Sequence, residues 1–148
     1  MTISRDRDIK GFNPKSDLAD WNYVFYIKLF GVSLMEIVKT EQEFYDAIAS
    51  DQPTVAVFKT TWCKDCHFIE PFMPDVEKAY SGKLRFIQLD RDELPDLCEK
   101  YNILGIPSFI GFRRSEELAR FVSKLRKTRE EIEQFLDQVV EASKAKAQ

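Results

Sequence analysis

Cysteine, glycine and histidine are scarce in this chain: 148 residues hold three, five and one of them. Three cysteines are too few to staple a small secreted scaffold, and a chain of this length buries enough apolar surface to fold without disulfides. The cysteines therefore need an explanation from chemistry or from packing. A basic excess is also missing. Lys and Arg number 22 against 25 Asp and Glu, with the signs interleaved and a net charge of −3, so nothing here resembles the positive face of a nucleic-acid binder. No apolar run is long enough to span a membrane: the most apolar stretch, Trp21 to Leu34, has about 14 residues, includes Asn22 and Lys28, and falls short of the roughly 18 to 20 required. Asp6, Asp8, Asp17 and Asp20 dilute the basic residues ahead of it and no small-x-small cleavage site follows, which argues against an export signal. What the chain does have is apolar and aromatic content, 44% hydrophobic with 12 Phe, 5 Tyr and 2 Trp. That composition excludes a disordered or fibrous chain.

Residues 1–34 read as an extension, because Met35 opens a well-patterned domain expected to run to residue 143, with 144–148 as a C-terminal tail. Thr40 and Glu43 stand at capping-box spacing ahead of Phe44, Ala47 and Ile48, which predicts a helix from Thr40 to about Ser50. Thr54 to Thr60 is β-branched and apolar on both faces, as a central strand is. Phe68, Ile69, Phe72, Val76 and Ala79 recur at helical period, so Cys63 to Tyr80 reads as one helix kinked near Pro71. Leu84 to Leu89 alternates as a strand, and Glu93 to Tyr101 is a short helix. Ser108 to Phe112 and Leu118 to Val122 then form a hairpin across Arg113 to Glu117, and Thr128 with Glu131 opens the last helix. This order implies an α/β fold with a mixed four- to five-stranded sheet flanked by helices on both faces.

The chemistry sits at Trp62-Cys63-Lys64-Asp65-Cys66, where a buried strand hands over to a helix. Two cysteines three apart on a first helical turn can close a small disulfide ring, and the free N–H groups of a helix N-terminus favour a thiolate at Cys63. An ordinary thiol, with a pKa near 8.5, is only about 3% ionised at pH 7. Lys59 and Lys64 would reinforce the thiolate and Asp65 would oppose it. Cys66, one turn deeper, is expected to be buried, protonated and resolving.

With these residues the chain resembles the thioredoxin family over about residues 35 to 141: Trp62-Cys63-x-x-Cys66 after the strand TVAVFKT, Pro71 five residues beyond the second cysteine, and Gly105-Ile106-Pro107 at the family's spacing. The resemblance implies a thioredoxin fold, a cis Pro107 beside the dithiol, and substrate contacts at Trp62, Ile106, Pro107 and the loop at Ser123. It also implies a monomer acting on disulfide-containing client proteins, regenerated by a reductase or a low-molecular-weight thiol, with no metal or organic cofactor. Three departures stand out. Val57 and Gln88 occupy positions where the family usually carries a buried Asp and a strand Lys. Lys64-Asp65 replaces Gly-Pro, and Ser123 replaces a glycine.

Each signal has a plainer counterpart. Cys63, Cys66, His67 and Cys98 could supply Cys3His zinc ligation, but adjacent Cys66 and His67 point apart on a helix and Cys98 lies on another. His67 is expected on the helix surface, Cys98 as a small buried apolar residue, Phe58, Phe72, Phe86 and Phe109 in the core, and Trp62 partly exposed beside an exposed thiol. The expected function is a cytoplasmic thiol–disulfide oxidoreductase reducing client disulfides. The rival is a thioredoxin-fold adaptor or redox sensor that docks a partner with little turnover.

Overall fold

The computed structural model describes residues 35–146; the expectation for residues 1–34 lies outside the described residues. The elements run β1 (Glu36–Val38), α1 (Glu41–Ile48), β2 (Thr54–Lys59), α2 (Lys64–Ile69), α3 (Met73–Ala79), β3 (Arg85–Asp90), α4 (Pro95–Lys100), β4 (Ser108–Arg113), β5 (Glu116–Phe121) and α5 (Arg129–Lys146). The five strands form one sheet in the order β1-β3-β2-β4-β5. β1, β3 and β2 pair parallel, while β4 and β5 close the far edge antiparallel.

Period-two alternation sorts the central strands between two cores. From β2, Ala56 and Phe58 join Phe44, Ile48, Leu89, Leu97 and Cys98 on the side of α1 and α4. Val55 and Val57 join Ile69, Met73, Val76, Ile132 and Leu136 on the side of α2, α3 and α5. Helices therefore cover both faces, as the element order implies. At Gly111 a β-carbon would come within 2.6 Å of the Val139 side chain, so glycine is what lets α5 lie close on β4. Phe58, Phe86 and Phe109 are buried, whereas Phe72 is only half-buried against the second core and Phe68 is 41% exposed.

Both expected helix starts are capped, the return bond reaching Lys39 instead of Thr40 at the first and Thr128 itself at the second. Thr40 Oγ1 accepts the Glu43 N–H at 3.1 Å while Glu43 accepts the Lys39 N–H at 2.8 Å, and Thr128 Oγ1 accepts the Glu131 N–H at 3.2 Å. The expected kinked helix from Cys63 to Tyr80 is instead two helices. Pro71 has no N–H to continue the ladder, and Pro74 sits in the first turn of α3, where its missing N–H costs nothing. Pro95 likewise moves the start of α4 beyond Glu93. The hairpin loop is shorter than the stretch Arg113 to Glu117: Arg114 and Ser115, with φ of 51° and 66°, make the turn alone. Their N–H groups donate to Ser50 O at 3.0 Å and Ile48 O at 2.8 Å, so the end of α1 holds a left-handed pair that lacks the usual Asn-Gly. α5 continues through Lys146, into the stretch assigned to a tail, and Lys146 pairs with Glu116.

Candidate active site

The parallel strands β2 and β3 end side by side, and the chain leaving β2 reverses through Thr60, Thr61 and Trp62 into α2. Cys63 is the N-cap of α2, and its sulfur accepts the Cys66 N–H at 3.1 Å. The bond satisfies one of the free N–H groups in the first turn of α2. The Cys63 Sγ also lies 3.7 Å from the Ile106 carbonyl, a contact in which the thiol donates. All three cysteines are free and buried. The expectation of an exposed Cys63 needs correction: it is 6% exposed, because the Ile106 carbonyl stands over it.

Cys66 is deeper still, at 1% exposure. Burial, seconded by the Cys63 sulfur, pushes its thiol up to about 12, while a backbone hydrogen bond from Thr60 and the charge of Lys59 pull the other way. Cys66 is thus protonated at rest and needs an acceptor before it can attack. No carboxylate is among the groups that shift its thiol, and the adjacent Asp65 is held by Arg126. Val57 is buried in β2 and Gln88 lies opposite it in the parallel register of β3, so the two departures from the family pattern face each other. The Thr60 hydroxyl, also buried, has no hydrogen-bond partner among the described residues.

The Ile106–Pro107 bond is cis and Pro107 is buried, with Ile106 half-buried beside the dithiol. A β-carbon on Gly105 would collide with the Ser123 carbonyl, so the loop after β5 packs directly on the backbone that leads into Pro107. Ser123 is half-buried and turns its carbonyl inward, leaving Leu125, 76% exposed, as the projecting side chain of that loop. Trp62 is 60% exposed, and its indole N–H donates to Asp92 Oδ2 at 2.7 Å while the Arg91 guanidinium sits 5.5 Å from the ring centre. Asp65 is held by Arg126 at 2.9 Å, and the same guanidinium stacks 4.5 Å over Phe68. Lys64 is exposed and Lys59 half-buried.

His67 is on the surface of α2, its ring nitrogens bonded to Glu70 at 3.1 Å and to the Thr61 carbonyl at 2.7 Å; the bond to Glu70 chiefly, then that to Thr61, raises its pKa. Cys98 is on α4 at the floor of a depression formed with Arg91, Asp92, Pro95, Ile103 and Leu104. Burial pushes its thiol up to about 11, against the pull of Arg91. Among the described residues no group of three or more His, Cys, Asp or Glu side chains converges to hold a metal. Arg91, Asp92 and Arg126 are site residues that the sequence reading missed. Arg91 and Asp92 were findable, since they follow β3 at the carboxyl ends of parallel strands, where α/β sheets gather function.

The thioredoxin family model matches residues 35–138. This chain belongs to the thioredoxin family. It is 36% identical to thioredoxin-1 of Saccharomyces cerevisiae over 57% of this chain and 81% of that protein. It is 31% identical to the chloroplastic thioredoxin Y1 of Arabidopsis thaliana, over 59% of this chain and 51% of that protein, so it spans about half the length of that relative. The crystal structure of thioredoxin from Trypanosoma brucei brucei superposes with a TM-score of 0.64 at 23% identity, covering 72% of this chain and 91% of that one, which establishes the thioredoxin fold.

Proposed function

We propose that the chain is a thiol–disulfide oxidoreductase that reduces disulfides of client proteins by dithiol exchange. The observation that carries this reading is the Cys63 sulfur capping α2 at 3.1 Å from the Cys66 N–H, with Cys66 buried behind it. Cys63, as thiolate, attacks one sulfur of the client disulfide, and the other client sulfur leaves as a thiolate and takes up a proton. Cys66, once deprotonated, attacks Cys63 Sγ, closes the Cys63–Cys66 disulfide and releases the second client thiol. Two electrons pass from the dithiol to the client. A reductase or a low-molecular-weight thiol then restores the dithiol. No step calls for a metal or organic cofactor.

Trp62, Ile106, Pro107 and the Ser123 loop remain the proposed client surface, to which the exposed Leu104 and Leu125 are added. Lys59, Lys64 and Asp65 remain the proposed tuning charges. The working location is proposed to be cytoplasmic and the working form a monomer; among the described residues no helix is long and apolar enough to cross a membrane. The adaptor reading draws support from one observation, that Cys66 is buried and no carboxylate is among the groups that shift its thiol.

Reduction of insulin with dithiothreitol as the electron source separates the two. The oxidoreductase reading expects catalytic turnover by the wild type and none by Cys63→Ser. A wild type no faster than Cys63→Ser would sink that reading and favour the adaptor. Residues 35–143 are proposed to carry the activity, so removing residues 1–34 should leave turnover and melting temperature unchanged. A clear loss of either would give the extension a structural role.

A further inference from the structure

Lys127 is a lysine with 0% exposure, and neither the pairings of the sheet nor the exchange steps above account for it. Its ammonium donates to the carbonyls of Ser123 and Leu125, each at 3.2 Å, and lies 5.1 Å from the centre of the Phe121 ring. Both hydrogen-bond partners are neutral backbone groups. Among the described residues Lys127 forms no salt bridge, and the two carboxylates in its electrostatic range are engaged elsewhere: Asp65 by Arg126, and Glu131 by the N-terminal cap of α5 at Thr128. A buried cation without its own counter-ion is costly, and a Leu or Met would fill the space against Phe121 without that cost.

Burial lowers the pKa of the Lys127 ammonium, and Asp65, Cys66, Glu131 and Cys63 pull it back up. The charges that act on Cys66 are Cys63 and Lys59, and burial outweighs both. The loop geometry leads to the same place. Ser123, which Lys127 holds by its carbonyl, packs on Gly105, next to the Ile106 whose carbonyl faces the Cys63 sulfur. Arg126, the preceding residue, grips Asp65 between the two cysteines.

We propose that Lys127 is a positioning residue of the dithiol, a buried cation that braces the Ser123–Leu125 loop on Gly105 and whose missing counter-ion is the thiolate formed at Cys63 and then at Cys66. It supplies, from the start of α5, a fixed charge at a site where Val57 and Gln88 leave the sheet neutral. Nothing is transferred to or from Lys127; it biases the thiol–thiolate equilibrium on which attack depends. The inference rests on the dithiol-exchange reading.

The test compares Lys127→Met, Lys127→Gln and Lys127→Arg in the full chain, with circular dichroism as the folding control. Gln keeps a donor for the loop carbonyls without the charge, and Arg keeps the charge. Iodoacetamide alkylation of Cys63 at pH 7, read with the ultraviolet absorbance of the thiolate, should slow about fivefold in Met and Gln and recover in Arg. Wild-type alkylation in both Met and Gln, or in Gln alone, overturns the electrostatic role. Should Met not fold, Gln and Arg decide. Insulin turnover by the wild type and its loss in Cys63→Ser report separately on the exchange reading, so either can fail without the other.

Discussion

Cys66→Ser is expected to convert the protein into a trap for its own clients. The first attack needs only Cys63, and that sulfur keeps its N-cap bond because the donor is the backbone N–H of residue 66, which serine retains. The second attack is lost. A resolving thiol fixed on the same helical turn acts at an effective concentration of order 1 M or above, whereas an external thiol at about 1 mM must arrive by diffusion, so release should slow about a thousandfold. Cell extracts passed over the variant should yield covalent adducts that reductant dissolves, and Cys63→Ser/Cys66→Ser should yield none. A partner recovered equally by wild type and the double variant, without a covalent bond, would instead identify an adaptor. Burial of Cys98 makes the comparison clean, because it is the one cysteine both variants keep and a thiol held up to about 11 is a poor bystander nucleophile.

The parts of the molecule legible in the sequence are those governed by local periodicity and by short-range caps. Thr40 with Glu43 and Thr128 with Glu131 state their helix starts outright, and the two-faced apolar run of β2 places it at the centre of the sheet. The dithiol was legible for the same reason: a strand, a turn and a helix start meet within a few residues. What stayed hidden depends on contacts between distant segments. Lys124-Leu125-Arg126-Lys127 reads as a solvated loop, and only closure of that loop over Phe121 and Gly105 buries its last lysine while leaving Leu125 outside. The tight turn at Arg114 and Ser115 carries none of the residues that favour positive φ, since its support comes from carbonyls at the end of α1. Cys63 is covered by the backbone at Ile106, far along the chain.

Val57→Asp should have the largest effect on stability and the opposite effect on catalysis. Val57 is 1% exposed among Ile132, Phe135 and the rest of the second core, so an ionised carboxylate there lacks both water and a partner and costs about 3 to 5 kcal/mol at pH 7. Desolvation raises the introduced carboxyl above its unfolded value of about 3.9. The charge penalty is therefore absent below that pH, accumulates above it at about 1.4 kcal/mol per pH unit, and levels off once the pH passes the raised native value. Urea denaturation against pH should show the variant converging on the wild type in acid, apart from a pH-independent loss of packing. In the same variant the carboxylate offers Cys66 the proton acceptor it lacks, so single-turnover release of a mixed disulfide should accelerate; an unchanged rate in a folded variant would reject proton removal as the limiting step. Gln88 provides the cross-check. It lies opposite position 57 in the β2–β3 register, so Gln88→Lys added to Val57→Asp should restore part of the lost stability through a cross-strand ion pair, whereas Gln88→Lys alone should not stabilise the fold.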